Sequence, residues 1–257
     1  MQFDTIEVRV DGARGELALN RPEKLNPLSG HTLWEIEQAA RWFDTHPDLK
    51  VVVVCGRGRA FSSGADISAF GSDGDSAAPD VHQGWRMSRA MEEMRAVSVA
   101  RLQGWCIGGG LVLAAVCDLR IAAETARFSI PEVELGIPLA WGGIPRLVRE
   151  VGPAITKELV MTCREFSPQE AAAAGFLNNV VPEAELDEAV EALVARLVRM
   201  PQMALLATKA HTNAVTEAMV GTGRSWSDGY GLAAGRADAE GRESNRAYLD
   251  RVRSKGR

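Results

Sequence analysis

Four consecutive valines, Val51 to Val54, limit the fold of this chain more than any other feature. A strand without polar alternation must be covered on both faces, as in a parallel sheet sandwiched by helices. The flanking residues agree. Leu33, Ile36, Ala40 and Phe43 recur at helical spacing behind the capping residue Ser29 and predict a helix over about 30–45. Before it, Ile6-Glu7-Val8-Arg9-Val10 alternates, Asp11-Gly12 turns and Leu17-Ala18-Leu19 returns, the pattern of a hairpin. After the valines come a helix from Trp85 to Val97, a strand from Val99 to Leu102, a helix opened by Gly108-Gly109-Gly110 that ends near Asp118, and a strand from Leu119 to Ala123. Strands alternating with helices predict an α/β fold with parallel pairs and right-handed crossovers.

From about Gly142 onward the pattern is mainly helical. An amphipathic helix runs from near Glu183 to Pro201, and the tail is helical apart from a glycine-broken segment, Gly221 to Gly235. The expected division is a β/α core over 1–198 and a helical C-terminal module over 199–257. The low-complexity stretch Gly71 to Pro79 reads as a mobile loop, a candidate lid. In the basic tail, Arg242 to Arg257, the residues Glu243, Tyr248 and Asp250 fall at helical spacing, so a solvated helix face is read before a phosphate contact.

A formal net charge of -5 argues against a broad nucleic-acid surface. The four cysteines lack CxxC spacing and have apolar neighbours, which predicts buried, reduced thiols and a cytoplasmic protein. His31, His46, His82 and His211 have no ligand spacing, so no metal is expected. No apolar run reaches the ~18 residues of a membrane span, and no secretory leader is evident at the N-terminus.

Gly108-Gly109-Gly110 heads the most apolar run of the chain. The pattern is neither GxGxxG after a strand nor a P-loop with a Gly-Lys-Ser/Thr ending. Two uses remain: close packing of a helix start on the sheet, or backbone N–H groups at the positive end of a helix dipole turned toward an anionic oxygen. A second glycine-rich turn, Gly56 to Ile67, follows the valine strand at the edge where a parallel sheet presents ligands.

Five motifs carry a resemblance that runs nearly end to end: Leu19-Asn20-Arg21-Pro22-Glu23-Lys24-Leu25-Asn26, Ala60-Phe61-Ser62-Ser63-Gly64-Ala65-Asp66-Ile67, Gly108-Gly109-Gly110, Cys117-Asp118-Leu119-Arg120 and Pro131-Glu132-Val133-Glu134-Leu135-Gly136. In this order the chain resembles the enoyl-CoA hydratase/isomerase (crotonase) family. The resemblance implies a crotonase-like spiral of ββα units with a C-terminal helical oligomerisation module that builds trimers, often paired into hexamers. It implies an acyl-CoA substrate, with coenzyme A part of the substrate and no separate cofactor. It assigns the oxyanion-hole donors to the backbone N–H groups of Ala65 and Gly109, which suits the charge that develops on a thioester oxygen during enolate chemistry. It places coenzyme A along Lys24, Leu25, Ser63, Ala65, Asp66 and Ile67, and it sets Gly108, Val112, Pro131 and Trp141 among the substrate-binding residues. Asp66 reads first as a loop or helix cap, and Ser68 stands where the family often has a lysine. Trp141 and Trp105 either wall the acyl pocket or pack in the core.

Hydratases of this family use two glutamates. The first would fall at Val112, three residues after Gly109, and is absent. The second falls on Glu132, whose apolar surroundings from Phe128 to Val133 predict a desolvated carboxyl with a raised pKa. Glu134 is an additional candidate if the segment is extended. Leu139 and Ala140 stand where dienoyl-CoA isomerases place a further acid, so that subtype is not supported. One carboxylate suffices for a 1,3 proton shift, which favours isomerisation of 3-enoyl-CoA to 2-enoyl-CoA. The alternatives are hydration of 2-enoyl-CoA, a decarboxylase of the methylmalonyl-CoA type, and a non-catalytic acyl-CoA or RNA binder.

Overall fold

The computed structural model describes residues 2–66 and 80–255. Strand β1 (Ile6–Asp11) turns at Gly12 and pairs antiparallel with β2 (Arg14–Leu19), as the hairpin pattern predicts. Every later pairing in the main sheet is parallel. Strands β3 (Val51–Gly56), β4 (Val97–Leu102), β6 (Leu119–Ala123) and β8 (Asn179–Val181) extend it in the order β1-β2-β3-β4-β6-β8. The short strands β5 (Trp105–Ile107) and β7 (Arg127–Ser129) form a separate parallel pair.

The valine strand is buried along its whole length, and its alternation shows why. Val52 and Val54 join the main core with Leu33, Ile36 and Phe43 of α1 (Gly30–Phe43). Val51 and Val53 face the other way, with Val99, Ile121 and, on α6 (Leu186–Val198), Leu186, Val190 and Val194. Two helices on opposite faces thus require valine at every position. Ser29 caps α1, its Oγ accepting from Thr32 N at 3.1 Å.

Helix α2 (Gln83–Glu93) begins and ends earlier than its periodicity predicts, and α3 (Gly109–Ala115) stops three residues short of Asp118. After β7, α4 (Gly143–Thr162) and α5 (Pro168–Ala173) lead to β8, which the sequence pattern did not reveal. Three residues are too few to show a strand period, and the same brevity hid β5 and β7. The tail forms α7 (Gln202–Met219), α8 (Asp228–Ala237) and α9 (Ala239–Lys255). Leu232 of α8 packs with Leu135, Ile137 and Ala140, and Tyr248 of α9 lies against them.

All four cysteines are free and buried. Burial pushes the Cys55 thiol up to about 11 and that of Cys117 up to about 12. These are poor nucleophiles at neutral pH. Among the described residues no helix is long and apolar enough to cross a membrane. The loop read as a candidate lid, together with Ile67 and Ser68, lies outside the described residues.

Candidate active site

Two turns are stitched into one surface. Ser62 N donates to Trp105 O at 2.9 Å and Ile107 N to Ser62 O at 3.1 Å, which joins the turn after β3 to the one between β5 and α3. On either side of Ala65 the amides are engaged: Gly64 N donates to Ser62 Oγ at 3.1 Å and Asp66 N to Leu28 O at 3.0 Å. The Ala65 N–H has no acceptor among the described residues. Gly109 opens α3, where the first amides of a helix lack intrahelical acceptors. Gly64 brings the turns together. Its φ is 87°, and a Cβ there would fall 2.6 Å from Ile107 O and 3.5 Å from Gly109 N.

The carboxyl of Glu132 lies beside this surface. A Cβ on Gly108, whose φ is 48°, would come 2.5 Å from Glu132 Oε1, so only glycine leaves room for the carboxylate next to the first turn of α3. Glu132 is 8% exposed, and among the described residues its Oε2 has no hydrogen-bond partner. Burial pushes its pKa up to about 7, against a weaker opposing pull from a hydrogen bond with its own backbone. This carboxyl can exchange a proton near neutral pH.

Glu134 takes another direction. Leu135 N donates to Pro131 O at 3.0 Å and Ile137 N to Glu132 O at 3.0 Å, so the segment coils as a turn and its two glutamates do not share an extended-strand face. Glu134 is exposed and pairs with Arg251 of α9.

A cavity of about 280 Å³ opens on Ala65, Gly109 and Glu132. Val112 lines it and is itself 1% exposed, so an apolar wall stands where the resemblance would put a first glutamate. Leu139 and Ala140 line it too, without an acid. Trp141 forms a further wall. Its indole lies so close to Gly84 and Gly109 that a Cβ at either would meet the ring at 2.1 and 2.2 Å respectively. Its φ of 61° is unusual for a large residue, and the turn is braced from two sides. Arg146 Nη1 donates to Gly142 O at 3.1 Å, and Gly142 N donates to Asp228 Oδ2 at 3.0 Å.

Of the residues singled out from sequence, Ala65, Asp66, Gly109, Val112, Glu132 and Trp141 line the cavity. Gly108 and Pro131 are not on its wall, though Gly108 lies against the Glu132 carboxylate. Lys24, Leu25 and Ser63 are not on its wall. They form the neighbouring turn, where Ser63 N donates to Leu25 O at 2.8 Å and Lys24 is exposed. Asp66 pairs with Arg21 at 3.1 Å. Sequence reasoning missed Gly84 and the contribution of α8, Leu232 and Arg236, to the same cavity. The only signal for α8 was its run of glycines. His31 and Asp4 sit at the surface beside the buried Glu35, ligand-type atoms within 4.8 Å of one another. Glu35 already accepts from the amides of Asp4 and Thr5, which gives it a structural task.

Comparison with known proteins agrees with this architecture. Residues 13–254 match the family model for enoyl-CoA hydratase/isomerase. A probable enoyl-CoA hydratase of Mycobacterium bovis is 33% identical over 225 residues, 87% of this chain and 86% of that protein. The crotonyl-CoA hydratase of Syntrophomonas wolfei is 32% identical over 254 residues, 98% of this chain and 97% of that protein. The crystal structure of an enoyl-CoA hydratase from Mycobacterium avium subsp. paratuberculosis superposes with a TM-score of 0.86 at 26% identity, covering 95% of this chain and 99% of the other. The chain belongs to the enoyl-CoA hydratase/isomerase family, with the crotonase fold, and is an enzyme of that family.

Proposed function

We propose that this enzyme converts 3-enoyl-CoA to 2-enoyl-CoA, with Glu132 as its single acid and base. The thioester oxygen accepts from the amides of Ala65 and Gly109. The Glu132 carboxylate removes a proton from C2, and the electron pair is shared between the adjacent carbonyl oxygen and, through the C3–C4 alkene, C4, as a dienolate. The protonated Glu132 then delivers its proton to C4, the double bond settles between C2 and C3, and the carboxylate is restored. Donors aimed at a developing oxyanion contribute about 3–4 kcal/mol each in comparable sites. The observation that carries this reading is that, among the described residues lining the cavity, Glu132 is the one buried carboxyl, poised near neutrality, with Val112 where a second acid would stand.

The names of the relatives favour a second reading, hydration of 2-enoyl-CoA. Glu132 would then both deprotonate the water and protonate C2, two tasks for one group. Incubation of each enoyl-CoA isomer in heavy water, followed by mass analysis, separates the two. A migrated alkene from the 3-enoyl substrate, without net gain of water, supports isomerisation. Efficient addition of water to the 2-enoyl substrate overturns it in favour of hydration, and release of carbon dioxide from a malonyl-type thioester overturns both.

Coenzyme A along Lys24, Leu25, Ser63 and Asp66, assembly as trimers or hexamers, the division near residue 198 and a cytoplasmic setting belong to the same proposal. Helix α7 supports the assembly, because it has no buried residue and exposes Met203, Val215 and Met219. Light scattering of the purified protein tests that part.

A further inference from the structure

Two consecutive left-handed residues, Trp141 at φ 61° and Gly142 at φ 71°, turn the chain just before α4 and set the indole of Trp141 on the cavity wall. A large residue keeps this conformation only where its surroundings over-determine it, and such residues gather at ligand clamps. Here the surroundings do so. Arg146 of α4, 3% exposed, donates to Gly142 O through one nitrogen and to Glu92 Oε2 of α2 through another, at 2.6 Å. Asp228 of α8 accepts from Gly142 N. Glycines seat α8 in turn: a Cβ on Gly229 would lie 2.6 Å from Val81 O, and one on Gly235 2.7 Å from Gly136 O.

The indole occupies room that only glycine leaves. Its six-membered ring meets Gly109 at the start of α3, and its pyrrole edge meets Gly84 near the start of α2, so a methyl at either position would overlap the ring. The ring therefore begins beside the amide assigned to the thioester oxygen. The carbons C2 and C3 lie only two and three bonds from that oxygen, within reach of the same ring. We propose that Trp141 selects the acyl group by its breadth, its indole narrowing the cavity beside the alkene so that an unbranched enoyl-CoA is accepted and a methyl branch on C3 is rejected; this rests on the enoyl-CoA reading above. A rigid plane whose backbone is locked cannot yield to a methyl group as a flexible side chain would. Arg146 and Asp228 are then positioning residues for the indole. The ring also packs between the main core and the cluster of Leu135, Ile137, Ala140 and Leu232, but packing alone would leave the choice of substrate unaffected.

The test compares kcat/KM for two enoyl-CoA thioesters with the same six-carbon chain, one unbranched and one carrying a methyl on C3, each supplied with the double bond in either position. Their intrinsic difference in reactivity is common to every variant and cancels when ratios are compared. Trp141→Ala is expected to lower the unbranched-to-branched ratio about 10-fold or more, the usual worth of one carbon against a fixed wall. Trp141→Phe, which keeps an aromatic ring in the core, and Asp228→Ala, which loosens the turn, should each lower the ratio in part, and they carry the test if circular dichroism shows Trp141→Ala unfolded. A ratio that is unchanged or rises in the folded variants, including an equal loss for both thioesters as a packing role would give, overturns the inference and leaves the enoyl-CoA reading standing. No wild-type turnover of either thioester overturns that reading, and the inference with it.

Discussion

The two ends of the cavity are built by different means. At the end proposed to hold the thioester the candidate donors are backbone amides, fixed by strand-like hydrogen bonds that Ser62 makes with Trp105 and Ile107 and given space by Gly64 and Gly108. At the other end the wall is made of side chains, Trp141 from a braced turn and Leu232 and Arg236 from a helix more than ninety residues further along the chain. The first end tolerates almost no added atom, since a single Cβ would strike a carbonyl or the Glu132 carboxylate. The second can change with one side chain.

The sharpest way to break this contrast is to change Glu132, the acid and base proposed above. Glu132→Gln should lower kcat by about 1,000-fold, measured as proton exchange or alkene migration, because it removes the acid/base group and leaves the amides in place. A variant retaining most of its turnover would sink the assignment.

The same residue makes stability depend on pH. Its folded pKa of about 7 stands above the ordinary 4.5, so between those values the folded state binds more protons than the unfolded one. Stability should therefore fall as pH rises through that window, by at most about 3 kcal/mol. Denaturant titrations at pH 5 and pH 8 read it, and Glu132→Gln should flatten the dependence. Activity runs the opposite way: kcat/KM should climb to a plateau above pH 7 as the base ionises.

Gly108→Ala should cost about 100-fold in kcat, with a smaller change in KM, because the new methyl displaces the Glu132 carboxylate beside the hole. Trp141→Ala should act at the other end, lowering stability by about 2 kcal/mol and shifting the preferred acyl group toward bulkier chains. If Trp141→Ala instead abolished turnover of every thioester, the separation between the two ends would fail. The smallest effect is expected from Glu134→Gln, within about 0.5 kcal/mol in stability because its partner Arg251 is a surface residue, and with little change in kcat.

Much of this site was legible in local sequence. Val51 to Val54 announced a strand covered on both faces, and α1 and α6 supply the two covers. The glycine turns announced a backbone-lined pocket, and the apolar flanks of Glu132 announced a raised pKa. The relation between Glu132 and Glu134 was not legible, because residues two apart share a face in a strand and diverge in a turn. Nor was α8. Its glycines were visible, but their neighbours Val81 and Gly136 are far away in sequence, and only contact explains them.

The sequence alone determined which groups are available: amides freed by glycine, one carboxyl in apolar company, and valine where a second acid would stand. It could do so because glycine permissiveness, burial preference and the lack of an ionisable group are properties of residues and their immediate neighbours. The tertiary structure decided how those groups meet. It laid Glu132 against Gly108, turned Glu134 out to Arg251, placed the Trp141 indole over Gly109 and brought α8 to the cavity wall. Those relations depend on packing between distant segments, where a shift of one ångström separates contact from clash.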